Sequence, residues 1–581
     1  MSPRRPGRLR TRVLIRVLPL VVVGAAALSG CAQIPTGGPV HSGRGVGYHE
    51  QDSYVRALPA PPRPGAPPQE IVKGFLDASA SFEDGYAVAR QFLTPSASQG
   101  WDPGTGVTVY AVDPFMALTL QHNDQVTFDA HHVATISDQG VYDPAPPQAS
   151  VRATFTLARV GGQWRISNLP DGVYLTDIDV SRAYLSVDVY FLDPTGQVLV
   201  PDTIFLPRTL GMSTALVKRL LSGPSAWLRP AVTTAFPVGT ALAGSVPVVN
   251  GLAEVDLTQA ALSATPKSRD ALSAQLVWTL SQLGDVRAVR ITVGGAPFSV
   301  SGAPVIQPVD SWRGFDPSAL PSDAVGYAVR EGRLGSLSNG QFSALSGPAG
   351  AGLITLVDPA VDPRAQRLAV LSARRTRLLV GPIGGSLSEV LHGSALSAPS
   401  WDDSSVVWVT DTSPAGRSTV WQVRADGKAM RVPVPRLGGQ SIVSARISRD
   451  GTRMALVTTV AGVARLYVGA VAPGAGLSEP PQILSLRRLD PALTSIKQVT
   501  WAAADQLAVL GAVGTGPDSV YIVGLDGQLV VDEPGQPGTV AVAAAPQQPI
   551  MIVTKDGQVY ELAGHRWVAM LTKASAAFYP G

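Results

Sequence analysis

Cysteine is nearly absent from this chain of 581 residues: there is one, at position 31. A lone thiol excludes an internal disulfide framework and any Cys-x-x-Cys metal or redox site. Histidine is almost as scarce. His41, His49, His122, His131, His132, His392 and His565 are all there are, and none pairs with another at a metal-binding spacing. His131 and His132 sit in a strand-like stretch, so their rings are expected on opposite faces. Also missing are the Gly-x-x-x-x-Gly-Lys-Ser/Thr phosphate loop and the His-Glu-x-x-His zinc motif. Asp177-x-Asp179 is followed by neither the glycine nor the closing glutamate of a calcium loop. Paired carboxylates for glycoside cleavage are recognised in space rather than by spacing, so that class stays open. Lysine numbers seven against 39 arginines, a skew that points to a GC-rich genome. With 45% hydrophobic and 15% charged residues, the chain reads as an ordinary folded protein.

Long hydrophobic runs are missing too. The run at 17–28 is twelve residues, short of the roughly 20 a helix needs to cross a bilayer. Its setting is informative. Arg4, Arg5, Arg8, Arg10, Arg12 and Arg16 precede it without an acid, and small residues follow, which are the three parts of an export signal. Pro6 and Gly7 do not suit a twin-arginine signal, so general secretion is expected. Two cleavage sites are available. Ala25-x-Ala27 suits an ordinary signal peptidase. Leu28-Ser29-Gly30-Cys31 resembles the bacterial lipobox, directly after an apolar core of the right length, and this is the preferred reading. That resemblance implies a covalent lipid on Cys31, S-diacylglycerol plus N-acyl, and no other cofactor is expected. One acyl chain holds weakly and two hold stably, since each buried methylene contributes ~0.8 kcal/mol. Discarding residues 1–30 removes six arginines and no acid, which turns the net charge from +3 to −3. The electrostatic case for nucleic-acid binding goes with them.

Residues 31–69 read as a tether. Gly37, Gly38, Gly43, Gly45 and Gly47 come first, and Pro59, Pro61, Pro62, Pro64, Pro67 and Pro68 stiffen the end. A linker of this composition spans on the order of 35 Å.

Three folded regions are expected beyond it. In residues 70–180, Ile71, Phe75, Leu76 and Ala78 share a helical face, and Val88, Phe92 and Leu93 suggest a second short helix. Alternating strands follow at 107–112, 126–136 and 151–159, and Gly161-Gly162 turns into Gln163-Trp164-Arg165-Ile166. Helices followed by a curved antiparallel sheet make an α+β domain whose pattern resembles the nuclear transport factor-like fold.

Residues 187–298 alternate strands with helices. Ser213 is expected to cap a helix bearing Leu216, Val217, Leu220 and Leu221, and Leu272, Leu276, Leu280 and Leu283 mark another. "VYFLDPTGQVLVPDT", "LVKRLLSGPS", "TAFPVGTAL", "GLAEVDLT" and "AQLVWTLSQLGDVRAVRITVGG" in this order resemble a GerMN domain. The resemblance implies an α/β interaction module. Asp193, Glu254 and Asp256 are too widely spaced to read as a catalytic set, and Asp193 occupies a turn-forming position.

Residues 310–581 repeat. Aligned on Ala328, Ala369, Val407, Ala455, Ala508 and Met551, short apolar strands recur every 38 to 53 residues. Asn339-Gly340, Asp426-Gly427, Asp526-Gly527 and Asp556-Gly557 supply tight turns. That period is the signature of β-propeller blades, about six of them. "SARISRDGTRMALV" resembles the turn of TolB-type propellers, whereas Trp401-Asp402 precedes its strand and is no WD-repeat mark. Trp312, Trp401, Trp408 and Trp421 are candidates for a recognition surface, with packing between sheets as the default. Arg374, Arg375 and Arg377 fall at a hairpin turn and are candidate contacts to an acidic partner or lipid.

The whole order of lipobox signal, proline-rich tether, α+β domain, GerMN domain and C-terminal propeller resembles the actinobacterial LpqB lipoprotein family. The expected fold class is therefore multidomain, α+β and all-β. The resemblance implies a non-enzymatic protein held by its lipid on the extracytoplasmic face of the cell membrane. It also implies a partner, the extracytoplasmic domain of the sensor kinase MtrB, and through MtrA an influence on cell-wall homeostasis and division. An envelope glycan-binding protein or hydrolase using the propeller face is the alternative expectation.

Overall fold

A computed structural model describes residues 59–581, except 123, 210, 322–323, 439, 461, 477–478 and 490–491. The expected signal peptide, Cys31 with its expected lipobox, and most of the expected tether lie outside the described residues. The tether's expected end does not behave as a linker. Gly65 N–H donates to Gln163 Oε1 (2.6 Å), and Pro68 opens a helix, so residues 59–69 are part of the first domain.

That helix, Pro68–Ala78, buries Ile71, Val72, Phe75, Leu76 and Ala78 against Phe128, Phe155 and Tyr174 of a sheet. Gly74 is where the chain closes tightly, because a Cβ there would fall 2.5 Å from the Phe92 ring. The central strand is Gln125–Ser137, flanked by Ser150–Val160 and Gln163–Asn168 on one side and Gly106–Tyr110 on the other. Gly106–Tyr110 runs parallel to Val173–Thr176, so the sheet is mixed rather than wholly antiparallel. The two histidines do point apart. His131 Nδ1 lies 2.5 Å from Asp113 Oδ2 with its ring stacked on Phe115, while His132 Nε2 meets Ala134 O at 2.9 Å.

The second domain starts with the hairpin Tyr184–Leu192 and Leu199–Pro207. Asp193 holds its turn as an acceptor for the N–H groups of Thr195, Gln197 and Val198. Leu252–Leu257 and Ala288–Val293 pair in parallel, and the helix Pro266–Leu280 connects them as a β–α–β unit. Leu272, Leu276 and Leu280 of this helix are fully buried. Ser213 is not a cap. Gly211 occupies that position, and Ser213 Oγ, already inside the helix Met212–Leu221, donates to Val246 O (2.6 Å). Trp312 also departs from expectation: Ile306–Pro308 pairs with Ala288–Val293, and Trp312 packs in the core of this domain, not in a blade.

Six four-stranded antiparallel sheets make the propeller. Ala328, Ala369, Val407, Ala455, Ala508 and Met551 each sit in the second strand of a blade, at 0–2% exposure. The repeat was visible because these strands are buried on both faces and read as continuous apolar runs. Blade 1 is closed by the end of the chain. Ala574–Phe578 supplies its innermost strand, paired with Gly326–Arg330, followed outward by Arg333–Ser338 and Gln341–Ala344.

Candidate functional site

The innermost strands of the six blades surround a channel with about 90 Å³ of solvent space. Ala360, Ser400, Arg446, Thr500, Ala543 and Ala577 contribute one wall residue from each blade. Arg446 is half-buried there, its Nη1 donating to Ala398 O (2.8 Å) and Ala445 O (3.1 Å). Burial lowers its pKa, partly offset by the charge of Asp358. Arg449 lies deeper, donating to Pro580 O (2.8 Å) with its Nε 3.8 Å from Asp403 Oδ1. Burial pushes Asp403 up to about 6, although Arg449 pulls the other way.

The arginine turn predicted from the sequence is partly dispersed. Arg375 ion-pairs with Asp358, which a bulge between Val357 and Ala360 turns out beside the channel wall. Arg377 instead faces the outer strand, 3.7 Å from Glu389 Oε2, and Arg374 is exposed. Arg446 and Arg449 were missed: both lie in the stretch that resembles a TolB-type turn, Arg446 in the strand and Arg449 in the turn after it, but that pattern marks neither as a channel residue. Their only signal was position, near the inner strand of a repeat. Three of the four candidate tryptophans are packing residues: Trp312, Trp401 and Trp408 are 0–5% exposed, and Trp421 is half-buried. Trp401 Nε1 donates to Ala360 O of the neighbouring blade (3.1 Å), and Trp408 Nε1 to Asp402 (2.9 Å). A carbohydrate-stacking platform from these rings is therefore not present. Glu254 and Asp256 are held by Arg290 (2.7 Å) and Thr292 (2.6 Å) on the adjacent strand.

A second concentration of charge lies where the hairpin Tyr184–Leu192 and Leu199–Pro207 meets blades 4 and 5. One hydrophobic core runs through the junction, from Leu216 and Val255 in the GerMN-like domain to Val468 and Val509 in the blades. Ser186 Oγ donates to Asp526 Oδ2 (2.7 Å), and Arg453 Nη1 approaches Pro201 O at 3.4 Å. Arg487 Nε meets Asp143 Oδ1 of the first domain (3.0 Å) and its guanidinium stacks on Trp227 (5.1 Å). Burial and the carboxylate of Asp505 push Asp188 up to about 8, against a hydrogen bond from Thr203. Asp505 and Asp526 are also raised, burial being the first cause in each. Among the described residues, no group of three or more His, Cys, Asp or Glu is placed to hold a metal ion.

Three family descriptions match in succession: "Lipoprotein LpqB, N-terminal domain" over residues 61–181, "Sporulation and spore germination" (Germane) over 188–299, and "Lipoprotein LpqB beta-propeller domain" over 332–580. Lipoprotein LpqB of Thermobifida fusca is 31% identical, with 96% of this chain and 97% of that one covered. Lipoprotein LpqB of Streptomyces coelicolor is 31% identical, covered 99% on both sides. The chain belongs to the lipoprotein LpqB family. As a member of the LpqB family it is a membrane-anchored lipoprotein, and no described helix is long and apolar enough to cross a membrane. LpqB of Mycobacterium tuberculosis is more distant, at 29% identity over 92% of this chain and 99% of that one. Among solved structures, TolB from Acinetobacter baumannii is similar at 14% identity, covering 45% of this chain and 68% of that one, with a TM-score of 0.32. The first GerMN domain of GerM from Bacillus subtilis is similar at 21% identity, covering 21% and 96%, with a TM-score of 0.19. At those scores neither carries an argument about function.

Proposed function

We propose that this LpqB-family lipoprotein is a non-catalytic, extracytoplasmic accessory subunit of the sensor kinase MtrB, anchored through acylated Cys31. The carrying observation is the shared core of the GerMN-like domain and the propeller. Domains welded this way present their remaining faces as one rigid surface, which suits holding a partner in a chosen state. To shift the kinase, the lipoprotein has to bind one signalling state better than the other, by as much as that differential affinity allows. The exposed arginine turn at Arg374, Arg375 and Arg377 is the candidate contact, and it calls for an acidic patch on the kinase. Lipidated protein in vesicles should bind the extracytoplasmic domain of MtrB and change kinase autophosphorylation in co-reconstituted vesicles. Absence of association, with both proteins folded and lipid present, would refute direct contact. Cys31→Ala should release the protein from the membrane fraction, and retention of a fully processed chain there would refute the anchor.

A further inference from the structure

The propeller channel is unbalanced in charge. Its wall contains Arg446 and Arg449 and no acidic side chain; Gly581 lies against Arg449, and proline, alanine, serine, threonine, glutamine and aromatic residues make up almost all the rest. Arg449 is engaged with Pro580 O and Asp403. Arg446 is not engaged to the same extent. Both of its hydrogen bonds come from Nη1 and go to backbone carbonyls, which leaves Nε and Nη2 without a partner among the described residues. Asp358, whose charge acts on it, is already ion-paired with Arg375.

Two further donors line the same space. Gln498 Oε1 accepts the N–H of Val542 (3.0 Å), and this fixes the amide so that its NH₂ group points the other way. Thr500, one strand residue pair further along, contributes a hydroxyl to the wall. Gln498 and Thr500 are both half-buried, as Arg446 is. Donors from two neighbouring inner strands therefore converge on a cavity with room for roughly three waters, or one small oxyanion group. A guanidinium with free N–H edges in a narrow space is matched best by a carboxylate or phosphate, which takes two parallel charge-assisted hydrogen bonds.

We propose that the channel is a binding site for the oxyanion group of a small ligand, a carboxylate or a phosphate, held by Arg446 with Gln498 and Thr500 as additional donors. The site is independent of the kinase reading, because it needs only the folded propeller. An anion bound to the folded state alone raises its thermal midpoint, and above its Kd the rise continues with the logarithm of its concentration. Full-length protein is titrated with inorganic phosphate and, separately, with acetate, at constant ionic strength set by chloride. A midpoint that climbs with the logarithm of concentration of either anion is expected; phosphate alone assigns the site to phosphate ligands, and acetate alone to carboxylates. Arg446→Met should abolish the rise, and Arg374→Ala, in the exposed turn, should leave it intact. If Arg446→Met does not fold, Gln498→Leu is the second variant and should weaken the apparent affinity several-fold. Identical midpoints in chloride and in both test anions would overturn the proposal. So would a rise that survives unchanged in Arg446→Met, since the anion then binds elsewhere.

Discussion

Arg453 is the most consequential single side chain in the propeller. It is 0% exposed, ion-paired with Asp450, stacked on the Trp501 ring and directed at Pro201 O across the junction. Its sequence context, Ser448-Arg449-Asp450-Gly451-Thr452-Arg453, is the turn that resembled a TolB-type repeat, and the structure gives each position a task. Ser448 Oγ accepts the N–H of Arg453 (3.0 Å), and Gly451 takes a φ of +72° that favours glycine. Burial alone would raise Asp450, but Arg453 together with hydrogen bonds from Ser448 and Thr452 holds it below the ordinary carboxylate range. Removing one partner of such a pair leaves a buried charge uncompensated, which costs about 3–5 kcal/mol. Asp450→Asn should therefore lower the urea midpoint of the propeller by a loss of that order. Replacing both partners, Asp450→Leu with Arg453→Met, should do less harm than the single change, because no buried charge remains. Because the folded-state pKa is depressed, the pair's contribution is present at neutral pH and lost as pH falls through it. The wild type should thus weaken toward acid more steeply than Asp450→Asn. Parallel pH curves for the two proteins would count against this account.

At the scale of elements, the closing strand decides whether six blades form a ring. Ala574–Phe578 pairs with Gly326–Arg330, and Phe578 stacks on Tyr327 with ring centres 5.8 Å apart. Deleting residues 573–581 removes the innermost strand of blade 1 and exposes both the edge of Gly326–Arg330 and the flank of blade 6. An apolar, unpaired edge is a template for association between chains. The truncated protein should be cleaved within blade 1 by limited proteolysis and should form oligomers on size exclusion, where the full chain resists and stays discrete. What the sequence disclosed follows the range of the interactions. Second strands of blades were legible at Ala369, Ala455 and Ala508 because local burial writes a local pattern. The partner of Gly326–Arg330 was not legible, since it lies nearly 250 residues away and no local rule couples the two. The misplaced cap at Ser213 has a similar origin. Serine suits a helix start by propensity, but Gly211 takes the position and tertiary structure gives Ser213 the Val246 carbonyl instead. Of the candidate site, the turn at Arg374–Arg377 was visible as a charge cluster. Arg446, Gln498 and Thr500 were not, because their convergence exists only once the ring has closed.

For the whole molecule, the junction between the GerMN-like domain and the propeller couples folding to pH. Asp188 faces Asp505, Asp526 and Arg453, and Arg487 with Asp143 stands close by. Acids are gathered in greater number than the bases that would balance them, inside a continuous apolar core. Desolvation disfavours their charged forms, so Asp188 rises to about 8 and Asp505 and Asp526 rise with it. At the propeller's nearby turns, burial likewise brings Asp402 and Asp403 up to about 6, and Asp193 of the GerMN-like domain adds to the rise of Asp403. A carboxyl whose folded pKa is raised stabilises the assembled form fully below its unfolded value near 4, and that contribution is lost as pH climbs through the folded pKa. The junction is therefore tightest in mild acid and loosens between about pH 4 and 8. Asp188→Asn imitates the protonated carboxyl at every pH. The variant should match the wild type below about pH 4, pull ahead of it as pH climbs to about 8 and keep that lead at pH 9, by an amount on the order of a few kcal/mol. Residual pH dependence in the variant should come chiefly from Asp402 and Asp403 around pH 6 and from the remaining junction acids. Hydrogen exchange of the hairpin amides at Ser186–Tyr190, followed from pH 5 to 9 after correction for intrinsic rates, reads the opening directly. Protection that falls with rising pH in the wild type and falls clearly less in Asp188→Asn is the expected result, whereas equal loss in both proteins would show that Asp188 is not the group that loosens the two domains.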